Sequence, residues 1–296
     1  MKASVIIPVY NNPHELKLTL NALIRQTIDL RCFEVIIADD GSSINMEAVT
    51  NDYKKDLNIR YFYQEDKGFC PGMARNMGIL AAGGEVCVFL DCGVIPLSDC
   101  LEKHLQLFNE VGSNTTVIGY IYGNDTHSDL AKMKEIIDKY TPDEAAKIME
   151  RCGMVESREN LYNEFGDDLS AWPAPWIALW SLHFSVGTDF LRKNNILFDS
   201  FFTTWGCEDN DFAIQLYHNN AKFVLGRTAK AIHYPAEMRS FDKLKTDKVF
   251  RENFHRNQEY VVSKYPNDKS VKLWNEQGYR AVNRILWNEK NHGNDT

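Results

Sequence analysis

Residues 4–43 read SVIIPVYNNPHELKLTLNALIRQTIDLRCFEVIIADDGSS, and the hydrophobic period changes twice along them. Residues 4–9 are a β-branched apolar run, interrupted by Pro8, which predicts a buried strand. Asn11, Asn12 and Pro13 follow as a turn. Proline is favoured at the first helical position and Asn12 is suited to cap it. Leu16, Leu20, Leu23 and Ile24 then recur at helical spacing. Residues 33–38 are a second apolar run, and it ends in Asp39, Asp40, Gly41 and Ser42. A strand, a helix and a second strand of this length form the unit from which parallel sheets are built.

The alternation continues. Residues 44–56 read as a helix, 59–63 as a strand, and 72–82 as a helix stopped by Gly83 and Gly84. Residues 86–90 are a further strand running into Asp91, Cys92 and Gly93, and 97–111 are helical. The fold class expected is α/β, with a Rossmann-like, mainly parallel central sheet and helices on both faces. Ligands of such sheets bind beyond the carboxyl ends of the strands. Tyr10 with Asn11, Asp39 with Asp40, and Asp91 each stand at such an end.

The pattern shifts after about residue 114. Residues 128–140 and 142–152 predict two amphipathic helices rich in Lys and Glu, a helical insertion over the sheet at about 128–168. Residues 171–184 are dense in aromatics, and Trp172, Trp176 and Trp180 lie four apart. On a helix they would form one stripe, serving either the core or a ligand pocket. Residues 200–220, SFFTTWGCEDNDFAIQLYHNN, place Glu208, Asp209 and Asp211 between Trp205 and an amphipathic helix. Acids in a first helical turn face the positive end of the helix dipole, but one would serve that purpose. A strand follows at 222–225, and residues 238–296 read as a polar helical tail with Trp274 and Trp287 as anchors.

The chain has 296 residues, a net charge of -8 and 44% hydrophobic content, an ordinary globular composition. Its acidity argues against nucleic acid as a partner and against general binding to anionic membrane. The seven cysteines are odd in number and contain no C-x-x-C pair, so zinc spacing is absent and free thiols in a reducing cytoplasm are expected. The apolar run at the N-terminus is too short for a signal peptide, and no run approaches the roughly 20 residues of a membrane span. No transmembrane segment is expected, and peripheral membrane contact stays open.

Four segments in this order, VIIPVYNN, QTIDLRCFEVIIADDGSS, KGFCPGMARNMGI and VFLDCGVIP, resemble the family 2 glycosyltransferases, which have a GT-A fold. FFTTWGCEDNDFAIQL and AIHYP are similar to the Trp-Gly-x-Glu-Asp segment and later histidine of galactosyl- and N-acetylgalactosaminyltransferases. The resemblance implies a GT-A domain over residues 1–235. Its nucleotide-binding half is 1–112 and its acceptor-binding, catalytic half 113–235. Residues 236–296 form a helical extension packed on it.

The resemblance implies a nucleotide pocket of Pro8, Tyr10, Asn11, Asp40, Arg75 and Asp91, in which Asp40 accepts from the ring N–H of the base. From the residues alone, Asp39 to Ser42 also suit a turn and cap, and Arg75 a surface ion pair with Asp66 or Glu65. Asp91 and His233 are the implied ligands of a divalent metal, Mn or Mg, although Gly93 replaces the second acid of D-x-D. His233 also reads as a strand-end histidine with no ligand role. Asp209 is the implied general base, with Glu208 holding the acceptor. Adjacent carboxylates raise each other's pKa, so the two roles are open to exchange. Trp205 and Glu208 are the implied acceptor or sugar contacts, and Trp176 and Trp180, from their spacing, are candidates for the same pocket or for the core.

The expected function is an inverting transfer of sugar from a nucleotide-sugar donor, a UDP-sugar, to a hydroxyl of a glycan, natural-product or peptide acceptor. The alternative is a non-catalytic binder of sugar nucleotides or glycans, supported by Gly93 and opposed by Glu208, Asp209 and His233. A nucleotidyltransferase would want a glycine-rich basic loop, which VYNNPHEL lacks.

Overall fold

The computed structural model describes residues 1–123, 129–235 and 244–292. Its eight strands form one sheet in the order β3-β2-β1-β4-β7-β6-β8-β5. They are β1 (Ala3–Val9), β2 (Phe33–Asp39), β3 (Ile59–Tyr63), β4 (Val86–Leu90), β5 (Val94–Pro96), β6 (Thr115–Tyr122), β7 (His183–Gly187) and β8 (Lys222–His233).

The first four strands are parallel, in register Ala3 to Phe33, Val35 to Ile59 and Ala3 to Val86. Every residue of β1 and β2 is buried, because helices cover both faces. Val5 and Ile7 point to one side, with Leu16 and Leu20. Ile6 points to the other, with Ile79, Trp176 and Phe212. Pro8 is tolerated in this central strand for a reason of register. The ladder to β4 ends at Ile6, so beyond it β1 pairs only with β2.

The second half departs from the expected pattern. β6 occupies residues read as the approach to the insertion, and β7 begins at the end of the aromatic run and extends past it. β7 runs antiparallel to both β4 and β6, so the sheet is mixed: the N-terminal half is wholly parallel, and beyond β7 the β6–β8 pair is parallel again. The short strand expected at 222–225 extends to His233, and its ladder with β6 slips at Gly119 and Tyr120. The 44–56 helix contracts to Met46–Asn51, and Asn12 makes no side-chain cap to the helix that begins at Pro13.

Two insertion helices are present, Leu130–Lys139 and Pro142–Arg151, the second started by a reciprocal pair between Thr141 and Glu144. Ser128, the expected first residue of the insertion, lies outside the described residues. So do residues 236–243, where the extension was expected to begin.

Three C-terminal helices, Lys248–Lys264, Lys269–Gln277 and Tyr279–His292, pack on the sheet side that holds Trp176. Val261, Val271, Trp274 and Val282 join that core. Polar bonds fix the register of this packing. Asn283 accepts from the Ala174 backbone at 2.8 Å, and Trp176 Nε1 donates to Ser270 Oγ at 2.9 Å. No described helix is long and apolar enough to cross a membrane.

Candidate active site

A cavity of about 790 Å³ opens over the carboxyl ends of β1, β2 and β4 and runs to the start of the Glu208–His218 helix. Pro8, Tyr10, Asp40, Arg75, Asp91, Trp180, Trp205, Glu208, Asp209 and His233 all line it. Residues 225 positions apart in sequence therefore share one space.

The floor is set by two turns tied together. Asn11 takes a left-handed conformation, φ 54°, which asparagine tolerates. Its carboxamide oxygen accepts from the backbone of Ser43 at 2.9 Å and Ile44 at 3.1 Å. Asn11 thus braces the turn after β2 and does not line the cavity. Gly41 is required there: its φ is +89°, and a Cβ would lie 2.3 Å from the backbone nitrogen of Asp66. Asp66 in turn accepts from the Tyr10 hydroxyl at 2.9 Å.

Asp39 and Asp40 divide their tasks. Asp39 is wholly buried and accepts from Ser42 N at 2.7 Å and from the Tyr61 hydroxyl, a structural role. Asp40 reaches the cavity and accepts from Gln64 Nε2 at 2.5 Å and Cys70 N at 2.8 Å. Burial pushes its pKa up, against the pull of those two donors.

Arg75 is buried, 2% exposed, and pairs neither with Asp66 nor with Glu65. Its Nη2 donates to Asp91 Oδ1 at 2.5 Å, and Phe198 backs the guanidinium at 5.3 Å. Its Nε and Nη1 have no partner. Unsatisfied buried donors are costly, and in a cavity they point to an anionic ligand.

Asp91 sits at the mouth of β4, and Gly93 links it to the end of β8. Gly93 accepts from Tyr234 N at 2.9 Å, and Val94 pairs with His233. Gly93 has φ +94°, and a Cβ there would meet Glu15 at 3.3 Å, so glycine suits this position on backbone grounds. Asp91 and His233 offer two donors to a divalent ion whose other ligands would be diphosphate oxygens, a set that fits such an ion in part. Among the described residues, the one group of three clustered ligand atoms is elsewhere. Cys100, His104 and His183 are buried together, where His104 Nε2 meets His183 Nε2 at 2.9 Å and fastens the Cys100–Val111 helix to β7. They do not line the cavity.

The acids of the opposite wall stand in the first turn of Glu208–His218. Gly206 and Cys207 both take positive φ, 101° and 72°, to turn the chain into that helix. Glu208 accepts from Gly206 N at 3.1 Å, and Asp209 from Asn210 N at 2.8 Å. Burial raises Glu208 to about 7, with the charge of Asp209 adding to the effect and Arg75 opposing it. Burial likewise raises Asp209 to about 6, against the Asn210 N–H and Arg75. The two carboxyls titrate as a pair in the range where general bases work.

Asp211 proves to be more than a helix-start charge. It is wholly buried and accepts from Lys264 Nζ, Tyr265 Oη and Gln215 Nε2 at 2.8–2.9 Å. Sequence reading could not reach partners 53 and 54 residues away.

The three tryptophans separate. Trp172 and Trp176 are in the core, because the chain here makes short 3₁₀ turns, Leu169–Ala171 and Pro175–Ala178, and no continuous helix. Trp176 packs against Trp274 at 5.9 Å and does not line the cavity. Trp180 does, with Arg158 5.1 Å from its ring and Tyr279 edge-on at 6.1 Å. Trp205 stacks on Phe250 at 5.0 Å and Phe254 at 5.8 Å. Arg158, Phe254 and Tyr279 were missed in the sequence, where each looks like an ordinary helix or loop residue.

The sequence profile of Glycosyl transferase family 2 matches residues 4–199. Validoxylamine A glucosyltransferase from Streptomyces hygroscopicus subsp. jinggangensis is 31% identical over 236 residues, 79% of this chain and 56% of that protein. Chondroitin synthase from Escherichia coli is 32% identical over 243 residues, 78% of this chain and 34% of that protein. The chain thus spans about half or less of the length of these relatives. Among solved structures, S. aureus TarS 1–349 in complex with UDP-GlcNAc aligns over 99% of this chain and 76% of that one, with a TM-score of 0.68 and 19% identity. With the sheet order, the strand-end acids and the profile in agreement, the fold is GT-A and the chain belongs to glycosyl transferase family 2.

Proposed function

We propose that the chain is an inverting glycosyltransferase that moves a sugar from a UDP-sugar to an acceptor hydroxyl, with Asp209 as general base. One observation carries this reading. A buried guanidinium with two unpartnered nitrogens and a pair of carboxyls with raised pKa belong to residues that line the same cavity. The first suits a diphosphate and the second suits proton removal.

Asp40 accepts the ring N–H of the base, and Pro8 and Tyr10 flank it. Arg75 donates to the diphosphate and holds Asp91 in place. Asp91 and His233 would hold a divalent ion, Mn or Mg, which when bound supplies charge neutralisation for the departing diphosphate. Asp209 takes the proton of the acceptor hydroxyl as its oxygen bonds to the anomeric carbon. The bond from that carbon to the phosphate oxygen breaks, and its electron pair leaves with UDP. Attack from the face opposite the leaving group inverts the centre. Glu208 orients the acceptor. The free thiols of all seven cysteines support a reducing compartment, the cytoplasm, as the place of action.

The test is calorimetric titration of UDP with and without Mn, with ADP as control, followed by UDP release from UDP-sugars. Selective UDP binding strengthened by Mn is the expected result. No preference for UDP over ADP would overturn the donor assignment.

A further inference from the structure

We propose that the acceptor end of the cavity is a subsite for an uncharged, sugar-like ring, walled in part by the C-terminal helices that lie beyond the family-matched span. This deepens the transferase reading above and rests on it.

The first observation is the wall. Trp180 precedes β7 and Trp205 precedes the Glu208–His218 helix, whereas Phe254, Trp274 and Tyr279 come from the three C-terminal helices. The half-buried rings of Trp180 and Trp205 are each held by neighbours. Trp205 lies on Phe250 and Phe254, interplanar angles 24° and 29°. Trp180 is held between the Arg158 guanidinium and the edge of Tyr279. Arg280 Nε donates to the Tyr279 hydroxyl at 3.0 Å. Fixed rings present flat apolar area at little entropic cost. Such a surface matches the C–H face of a pyranose or cyclitol, whose hydroxyls stay free for polar partners at the rim.

The second observation is charge. Among the described lining residues there are five carboxyls, Asp40, Asp66, Asp91, Glu208 and Asp209, one guanidinium, Arg75, whose remaining nitrogens are assigned above to the diphosphate, and one histidine, His233, assigned above to the divalent ion. No lysine is among them. Two of the acids stand beside the aromatic wall, in the first turn after Trp205. A phosphorylated or uronic acceptor would bring further negative charge to a space that has no spare cation, and like charges at close range are strongly unfavourable there. A neutral ring meets no such penalty, and its hydroxyls are donors for Glu208 and Asp209.

The experiment uses the full chain loaded with UDP and saturation-transfer NMR. The probes are methyl β-D-glucoside and methyl β-D-galactoside, each against its uronate counterpart with the same ring. The neutral glycosides should bind at least about tenfold more tightly than the uronates. Tyr279→Ala should weaken the neutral ring by about tenfold, and Tyr279→Phe, which keeps the aromatic face, should restore it. Uronates binding as well as neutral rings, no transfer to either neutral ring, or indifference to Tyr279→Ala would each overturn the subsite. UDP binding in the same samples separates the two readings. Its failure would overturn both, whereas intact UDP binding with the wrong sugar pattern overturns the acceptor subsite alone.

Discussion

Arg75 spends one of its three nitrogens on Asp91, at 2.5 Å, and leaves the other two unpartnered in a buried position. An arginine so placed is charged, fixed and incomplete. Its bond to Asp91 also ties the Pro71–Ala81 helix to the carboxyl end of β4.

Arg75→Met should weaken UDP by about 10- to 100-fold, the range for losing one or two charge-assisted hydrogen bonds. Arg75→Lys should recover only part, because an ammonium cannot serve Asp91 and a diphosphate in the same plane. Calorimetry decides it, and wild-type affinity in Arg75→Met would refute the role.

Asp209→Asn should lower the rate of sugar transfer by about 10²- to 10⁴-fold while UDP affinity holds. Glu208→Gln should raise the acceptor KM more than it lowers kcat. The reverse pattern would exchange the two roles. In the wild type, the rate should climb with pH along a limb set by the pair, between about 6 and 7.

The same two carboxyls predict a stability trend with a definite sign. Their folded pKa values, about 7 and about 6, lie above the ordinary 4.5 and 3.8. The folded state therefore holds their protons more tightly than the unfolded state. Their contribution to stability is complete below pH about 4 and is lost as pH rises through 6 and 7. The double variant Glu208→Gln/Asp209→Asn should melt above wild type at pH 8, by roughly 2–4 °C for each kcal/mol relieved, and lose that advantage at pH 4. Calorimetric scans at the two pH values would show it.

Asp211→Ala should destabilise the fold by about 1–3 kcal/mol, because it removes the acceptor of the Tyr265 hydroxyl and one of the two carboxylates that hold Lys264, Asp199 keeping the other. Denaturant unfolding should show the loss as a lower midpoint, and tryptophan emission should report release of the C-terminal helices. A midpoint equal to wild type would mean that the apolar contacts alone hold them.

Gly93→Asp would write the missing acid back into the D-x-D position. At φ +94° and 3.3 Å from Glu15, the new side chain should cost about 1–3 kcal/mol and bring no gain in Mn binding. Tighter Mn binding with an unchanged melting temperature would show that the glycine is there for chemistry and not for its backbone.

Much of this site could be read in advance because it is written in local signals. Asp40 and Asp91 follow short apolar runs, and Glu208 and Asp209 open an amphipathic helix. What escaped depends on distant partners. Trp176 looks like Trp180 in sequence, and only Ser270 and Trp274, more than 90 residues on, make one core and leave the other at the cavity. β7 was hidden because five residues buried on both faces carry no period, and aromatic density masked the turn before it. β8 looked short because Gly226, Arg227 and Thr228 interrupt its apolar run, although the ladder with β6 continues past them through the slip at Gly119.

The packing of the C-terminal helices makes the cavity wall from two separate stretches of the chain. The residues proposed for the nucleotide all precede residue 92, within the span that the family profile matches, whereas Phe254, Trp274 and Tyr279 come from outside it. A change confined to the tail would therefore alter this part of the wall and leave the strand-end residues in place. Chimeras that exchange only these helices, with the Asp211, Lys264 and Tyr265 contacts retained as the joint, are the natural way to transplant one preference onto another scaffold.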